Sequence, residues 1–284
     1  QMQVYLQRLA GIWLTGDISE QILPIFYGPG ANGKSVFIDT ISGILDDYAT
    51  VAPECLLTSR SKDEHPTEIA FLCRKRLVVG SETGEGRPMR VQLVKRMTGD
   101  EYLTGRFMRQ DYFQFRRTHK TVLLTNHKPR ITETTDAIWR RVKLIPFSIT
   151  IPAEERDPQL TEKLRSEWSG ILAWMVHGCL DWQQYGLNSP DAVKVATREY
   201  QDESDHLAGF ITDCVKTNTL PQARTPKTEV YSAYKQWCSD CGETAYSQRE
   251  FGEHMRQHGY DDKGLKVDGR TVKCWAGLEL RESA

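Results

Sequence analysis

Eight residues limit this chain more than any others. Gly28-Pro29-Gly30-Ala31-Asn32-Gly33-Lys34-Ser35 fits the spacing G-x-x-x-x-G-K-[ST]. The apolar run at 22–27 just before it reads as a buried strand. After it, Val36, Phe37, Ile41, Ile44 and Leu45 recur at helical spacing, which predicts a helix over Lys34–Leu45. In this context a glycine-rich turn can cradle phosphate. The glycines let successive backbone N–H groups turn inward, and the helix directs its positive end at the anion. Lys34 would place a point charge on the β and γ phosphates, and the Ser35 hydroxyl is a hard oxygen ligand for magnesium. Gly28, Gly30, Asn32, Gly33, Lys34 and Ser35 are therefore the expected binding residues for ATP and Mg2+.

Phosphate chemistry also needs an acid on a neighbouring strand. Leu77-Val-Val-Gly-Ser-Glu82 supplies one, with a strand expected over 76–80 and Glu82 at its end, facing the metal and the attacking water. Two acids usually stand side by side there. Here Ser81 precedes, so Glu82 serves alone or Glu85 helps from the loop. A third strand, 121–125, delivers Asn126, whose amide can orient a water beside the γ phosphate. Trp139-Arg140-Arg141 follows, and arginine's planar fork suits a developing phosphoryl charge, on this side usually that of a neighbouring subunit's nucleotide. A fourth strand is expected at 142–147. Helical stretches at 67–73, 91–97 and 137–141 lie between the strands, and 107–115 reads as a hairpin. Strands alternating with helices imply a parallel sheet.

The pattern changes after Ile149. Residues 160–185 and 191–215 are helical, and 218–226 is a Pro-containing linker. The tail has helical stretches at 227–238 and 247–259, then a turn-rich β region at 264–280, the plan of a winged helix. The expected organisation is an α/β core at 1–150, a helical region packed on it at 151–217, and a winged helix at 218–284. Cys238, Cys241, His254 and His258 meet the spacing of a zinc finger. The cysteines, however, follow Val230, Tyr234 and Trp237 at helical spacing, and Ser247 with Glu250 makes a capping box, so no zinc is expected.

Composition excludes several classes. Apolar residues at 39% and charged residues at 26% are ordinary for a globular chain and argue against disorder and coiled coil. The longest apolar run, near 170–176, is far short of the ~20 residues that span a bilayer, so no membrane partner is expected. Seven cysteines at irregular spacing suggest free thiols in a reducing cytoplasm. No charged-then-apolar leader opens the chain, so secretion is unsupported. It starts at Gln1 and reads as a piece of a longer polypeptide. Net charge is -1, yet residues 86–143 hold 14 lysines and arginines against five acids, which points to an anionic partner.

GPGANGKSVF, RLVVGSETGEG, VKRMTGDEYLTGRFMRQDYFQF, KTVLLTNHKPRI and DAIWRRVKLIPF, in that order, resemble a superfamily 3 helicase, as found in phage, plasmid and poxvirus primase–helicases. YSAYKQW, SQREFG and CWAGLEL extend the likeness more weakly into that family's winged helix. The resemblance implies a P-loop ATPase of the AAA+ type that forms a ring, expected to be a hexamer, and moves on single-stranded or forked DNA. An upstream primase or polymerase domain would be fused to it, with phage replication in a bacterial cytoplasm as the setting. By position, Lys34, Ser35 and Glu82 serve nucleotide and metal, Asn126 is the sensor and Arg140 the finger acting in trans. Lys95 lies near the neighbour's nucleotide. Residues 106–113 match the hairpin that enters the ring channel, with Arg106, Arg109 and Gln110 toward DNA. Two other readings remain open: an ATPase that remodels or loads protein without translocating, and a DNA-binding regulator with a vestigial loop.

Overall fold

The computed structural model describes the 284-residue chain except for 54–55, 59–65, 83–86, 132, 134, 217–222, 243–244, 268–269 and 282–284. At 82, 206, 265–267, 270 and 271 it describes backbone alone. The chain divides into two compact units, Gln1–Gln201 and Asp202–Ala284.

The first unit is built on strands β1 (Leu23–Tyr27), β2 (Ala49–Val51), β3 (Leu77–Glu82), β6 (Lys120–Thr125) and β7 (Val142–Pro146). They form one sheet in the order β2-β3-β6-β1-β7, and every pairing is parallel. Helices α1 (Met2–Ile12), α2 (Lys34–Leu45), α3 (Pro66–Ala70), α4 (Val91–Gly99) and α5 (Asp136–Trp139) join them, with α6 (Leu160–Ser166), α7 (Trp168–Tyr185) and α8 (Asp191–Ser204) after the sheet. A separate antiparallel hairpin, β4 (Tyr102–Gly105) with β5 (Phe113–Arg116), interrupts the path from α4 to β6.

Both sheet faces are covered, which is why β1 reads Leu-Pro-Ile-Phe-Tyr rather than alternating with polar residues. Leu23 and Ile25 point into one core with Val78, Leu123, Leu144, Leu93 and Trp139. Phe26 points into the other with Val79, Val122, Ile145, Ile38 and Trp13. Helices α1 and α7 touch through glycine. A methyl on Gly11 would lie 2.2 Å from the Cys179 nitrogen, and one on Gly178 would lie 2.1 Å from the Gln7 carbonyl oxygen.

The second unit holds α9 (His206–Cys214), β8 (Arg224–Pro226), α10 (Lys227–Asp240), α11 (Gln248–Gln257), β9 (Asp262–Val267) and β10 (Arg270–Ala276). Its sheet runs β8-β10-β9, antiparallel throughout. Leu207, Phe210, Val230, Tyr234, Phe251 and Trp275 form its core. The second unit begins at Asp202, upstream of the linker expected at 218–226, and α9 contributes Leu207 and Phe210 to the same core as α10 and α11. The helices expected over 160–185 and 191–215 are each broken. The first breaks at Glu167, the second at Asp205, whose carboxylate accepts the Ala208 N–H and starts a new helix. Ser247 and Glu250 do form a reciprocal capping box on α11.

Candidate nucleotide site

Strand register brings the motifs together. Glu82 pairs with Thr125, Thr125 with Tyr27, and Tyr27 with Pro146, so four adjacent strands end on one rank. Gly28 and Asn126 are the next residues on β1 and β6, and Glu82 closes β3. At about 4.8 Å per strand, the Glu82 and Tyr27 backbones stand roughly 10 Å apart, with β6 between them.

The 28–35 loop runs from β1 to the start of α2 and is held in an unusual shape. Gly28, Ala31 and Gly33 have φ of 152°, 58° and 85°. A methyl on Gly28 would lie 2.0 Å from the Phe147 carbonyl oxygen, whereas nothing lies within 4 Å of one on Gly30 or Gly33. Asn32 Nδ2 donates to the carbonyls of Pro29 at 2.5 Å and Phe147 at 2.8 Å, tying the loop to the exit of β7. Lys34 is buried. Its Nζ donates to Gly28 O at 2.6 Å, Pro29 O at 2.9 Å and Asn32 Oδ1 at 3.1 Å, and burial pulls its pKa down. Ser35 is exposed in the first turn of α2.

The remaining expected residues fall as follows. The Glu82 side chain and all of Glu85 lie outside the described residues, and Ser81 is exposed. Thr125 Oγ1 accepts the His127 N–H at 3.1 Å and donates to the His127 carbonyl at 2.5 Å, turning the chain so that Asn126 is exposed on the bend. Arg140 is exposed at the end of α5. Arg141 is buried, with Nε donating to Thr98 Oγ1 at 3.0 Å and Nη1 to Ala137 O at 2.5 Å. Lys95 is engaged by both Glu133 oxygens, at 2.5 and 2.7 Å. Sequence reasoning passed over Lys128, whose ammonium lies 5.4 Å from the centre of the Tyr27 ring, beside the loop's first residue. Its place two residues after Asn126 was the available signal.

The hairpin ladder starts earlier than the expected 107–115, at Tyr102 opposite Arg116, because its two strands flank that segment's aromatic and polar tip. Gln110 N–H donates to the Phe107 carbonyl at 3.1 Å, and Arg109 has φ 59°, so the turn centres there. Arg109 and Gln110 are exposed, while the Arg106 guanidinium lies 4.7 Å from the Tyr112 ring centre. Phe107 stacks on Phe113 at 5.5 Å and meets Phe71 edge-on at 6.2 Å, so the aromatics pack the hairpin base.

The basic block of 86–143 is not one surface. Arg117, Lys120 and Arg141 are buried, and Arg90 and Arg116 pair with Glu68 and Glu101 at 3.0 and 3.1 Å. Of the zinc-spaced residues, Cys238 is buried in α10 and Cys241 is exposed just after it. His254 stacks on Tyr246 at 4.4 Å, and His258 Nε2 bonds Asp205 at 3.0 Å. Among the described residues no three metal-ligating side chains gather, and no helix is long and apolar enough to cross a membrane.

Comparison with known proteins gives consistent neighbours. Residues 26–141 match a family of unknown function (DUF5906), and residues 202–272 match the Poxvirus D5 protein-like family. The protein named "Putative helicase L207/L206" of Acanthamoeba polyphaga mimivirus is 26% identical over 83% of this chain and 27% of its own length. "Putative helicase 022R" of Frog virus 3 is 24% identical over 97% of this chain and 30% of its own. "Putative primase C962R" of African swine fever virus (strain Badajoz 1971 Vero-adapted) is 22% identical over 78% of this chain and 25% of its own. The chain thus spans about a quarter to a third of the curated relatives it matches. Among solved structures, the apo C-terminal region of NrS-1 shares the fold, with a TM-score of 0.57 and 13% identity over 97% of this chain and 71% of that one.

Proposed function

We propose that this chain is a magnesium-dependent ATPase of the superfamily 3, AAA+ type that drives unwinding of duplex DNA by moving along a single strand. It would act as a ring of copies, expected to be a hexamer, alongside an upstream primase or polymerase domain, in replication of a phage or other mobile element. The second unit is read as its winged helix. One observation carries the catalytic half of this reading. Strand register sets the Gly28–Ser35 loop, Asn126 and Glu82 at the same, carboxyl end of a parallel sheet. Ligands of open parallel sheets bind at that end. Viral relatives named as helicases and a primase support the replicative half.

The residues present fit Mg-ATP. The loop has open space at Gly30 and Gly33, a buried cation at Lys34, and a hard oxygen donor at Ser35. Bound nucleotide supplies the phosphoanhydride to be cleaved, and its metal offsets charge on the transferred group. Backbone N–H groups of the loop hold the phosphates, and Lys34 exchanges its carbonyl partners for phosphate oxygens. Ser35 Oγ and the Glu82 carboxylate would be the protein's oxygen donors to the metal. Glu82 also polarises the attacking water and takes its proton, and the Asn126 amide holds that water in line. Arg140 of a neighbouring copy meets the developing charge, a contribution of ~10³–10⁵ in rate.

Two substitutions test the assignment. Lys34→Ala should abolish hydrolysis. Glu82→Gln should retain ATP binding and lose turnover, because an amide cannot take the water's proton. Near-normal turnover by Glu82→Gln would remove Glu82 from its role.

A further inference from the structure

Thr98, in the last turn of α4, is gripped from two sides. Arg141 Nε donates to its hydroxyl at 3.0 Å, and Arg117 Nη2 donates to its carbonyl at 3.0 Å. Arg117 Nε also reaches the Asp100 carbonyl, at 2.8 Å. All three side chains are buried. The arginines come from distant points of the chain. Arg141 adjoins Arg140 at the end of α5. Arg117 directly follows β5, and its partner Asp100 lies just before β4, so it holds both feet of the hairpin.

A second tie runs alongside. Lys95, one turn earlier on α4, grips Glu133, and the Glu133 carbonyl accepts Trp139 Nε1 at 3.0 Å. Helix α4 is therefore fastened at two points to the segment that carries Arg140, and at its end to the hairpin. Cations are favourable at a helix C-terminus, where carbonyls point outward. Burying two guanidiniums on one threonine nevertheless carries a desolvation cost that apolar packing would avoid, and burial lowers the pKa of both. Directional bonds between rigid elements are suited to carrying a displacement from one to another.

We propose that Thr98 is the joint that passes movement of the Arg140 segment to the β4–β5 hairpin. It is a positioning residue and rests on the ATPase reading above. As Arg140 follows the neighbour's nucleotide, Arg141 shifts with it and draws the Thr98 hydroxyl. Arg117 then carries the shift into the hairpin.

The experiment compares the whole chain with Thr98→Val, Thr98→Ser and Gly99→Ala. Valine keeps the shape and the carbonyl bond to Arg117 but removes the hydroxyl. A methyl on Gly99 would lie 3.0 Å from Arg141 Nη2 and press that guanidinium by a few tenths of an ångström, loosening its bond to Thr98 without touching the hydroxyl, which keeps the test alive if valine impairs folding. Thr98→Val and Gly99→Ala should keep basal hydrolysis and single-strand affinity within about twofold. They should lose most of the DNA stimulation and roughly tenfold or more of unwinding, a size typical of coupling between sites. Thr98→Ser should match the native chain. Normal stimulation and unwinding in both perturbed variants, or a serine variant as defective as valine, overturns the proposal while leaving the ATPase reading intact. A native chain without any single-strand stimulation overturns both.

Discussion

Lys34 already donates to three oxygens of its own loop, so the phosphate binding proposed for it would be an exchange of partners for a buried cation. The loop's place between β1 and α2 was legible because its glycines and flanking apolar runs mark a strand, a turn and a helix. Lys120 was not legible, since a count of charge treats buried and exposed lysines alike. It donates to Thr15 O at 2.5 Å and Oγ1 at 3.1 Å, and burial, with Arg76 and Arg117 nearby, pushes its pKa down to about 7. His119 beside it is held neutral, its pKa pushed down to about 3 by burial and by the charges of Arg117 and Lys120. The unfolded chain keeps the Lys120 proton up to about pH 10.5, whereas the folded chain releases it near 7. The burial penalty is therefore full below pH 7 and gone above 10.5, and stability rises with pH between them, on the order of a few kcal/mol. Lys120→Met should flatten that rise, measured as denaturant midpoints from pH 7 to 10 against the native chain. An unchanged slope would place the titration elsewhere.

Elements with strong periodicity were readable and elements defined by tertiary context were not. The helix over Lys34–Leu45 was read to the residue, and β1, β3, β6 and β7 within two. Strand β2 was missed because three residues paired only with β3 leave no periodic trace. The breaks at Glu167 and Asp205 were missed because helical spacing resumes on both sides of each. The hairpin itself was expected, but β5 overlaps the segment that suggested it only at 113–115, and β4 lies wholly before it. Its exposed tip carries Arg109 on the turn, which suits a strand's phosphates. Arg109→Ala should spare basal hydrolysis and weaken DNA stimulation and unwinding. It should also flatten the log–log salt dependence of single-strand binding by ~0.7 per lost phosphate contact. Normal unwinding with an unchanged salt slope would remove the tip from the DNA path.

At the scale of the molecule, the sequence pointed to a parallel α/β core and a tail, and the second compact unit takes in α9 ahead of that tail. The core shared by α9, α10 and α11 depends on contacts such as Phe210 with Tyr234, ring centres 5.4 Å apart, that linear spacing does not encode. The assembled state is the other whole-molecule question. Arg141 is fixed internally and Arg140 faces solvent, so Arg140 is the residue available to a second copy. Mixing Arg140→Ala chains with Lys34→Ala chains should restore part of the hydrolysis at mixed interfaces. No rescue in mixtures that demonstrably co-assemble would contradict a site completed in trans. The most direct measurement for the whole account is the steady-state ATP hydrolysis rate of the native chain with magnesium, with and without single-stranded DNA. The account predicts a basal rate that single-stranded DNA raises severalfold. Absence of hydrolysis under both conditions, or a rate indifferent to DNA, would contradict it.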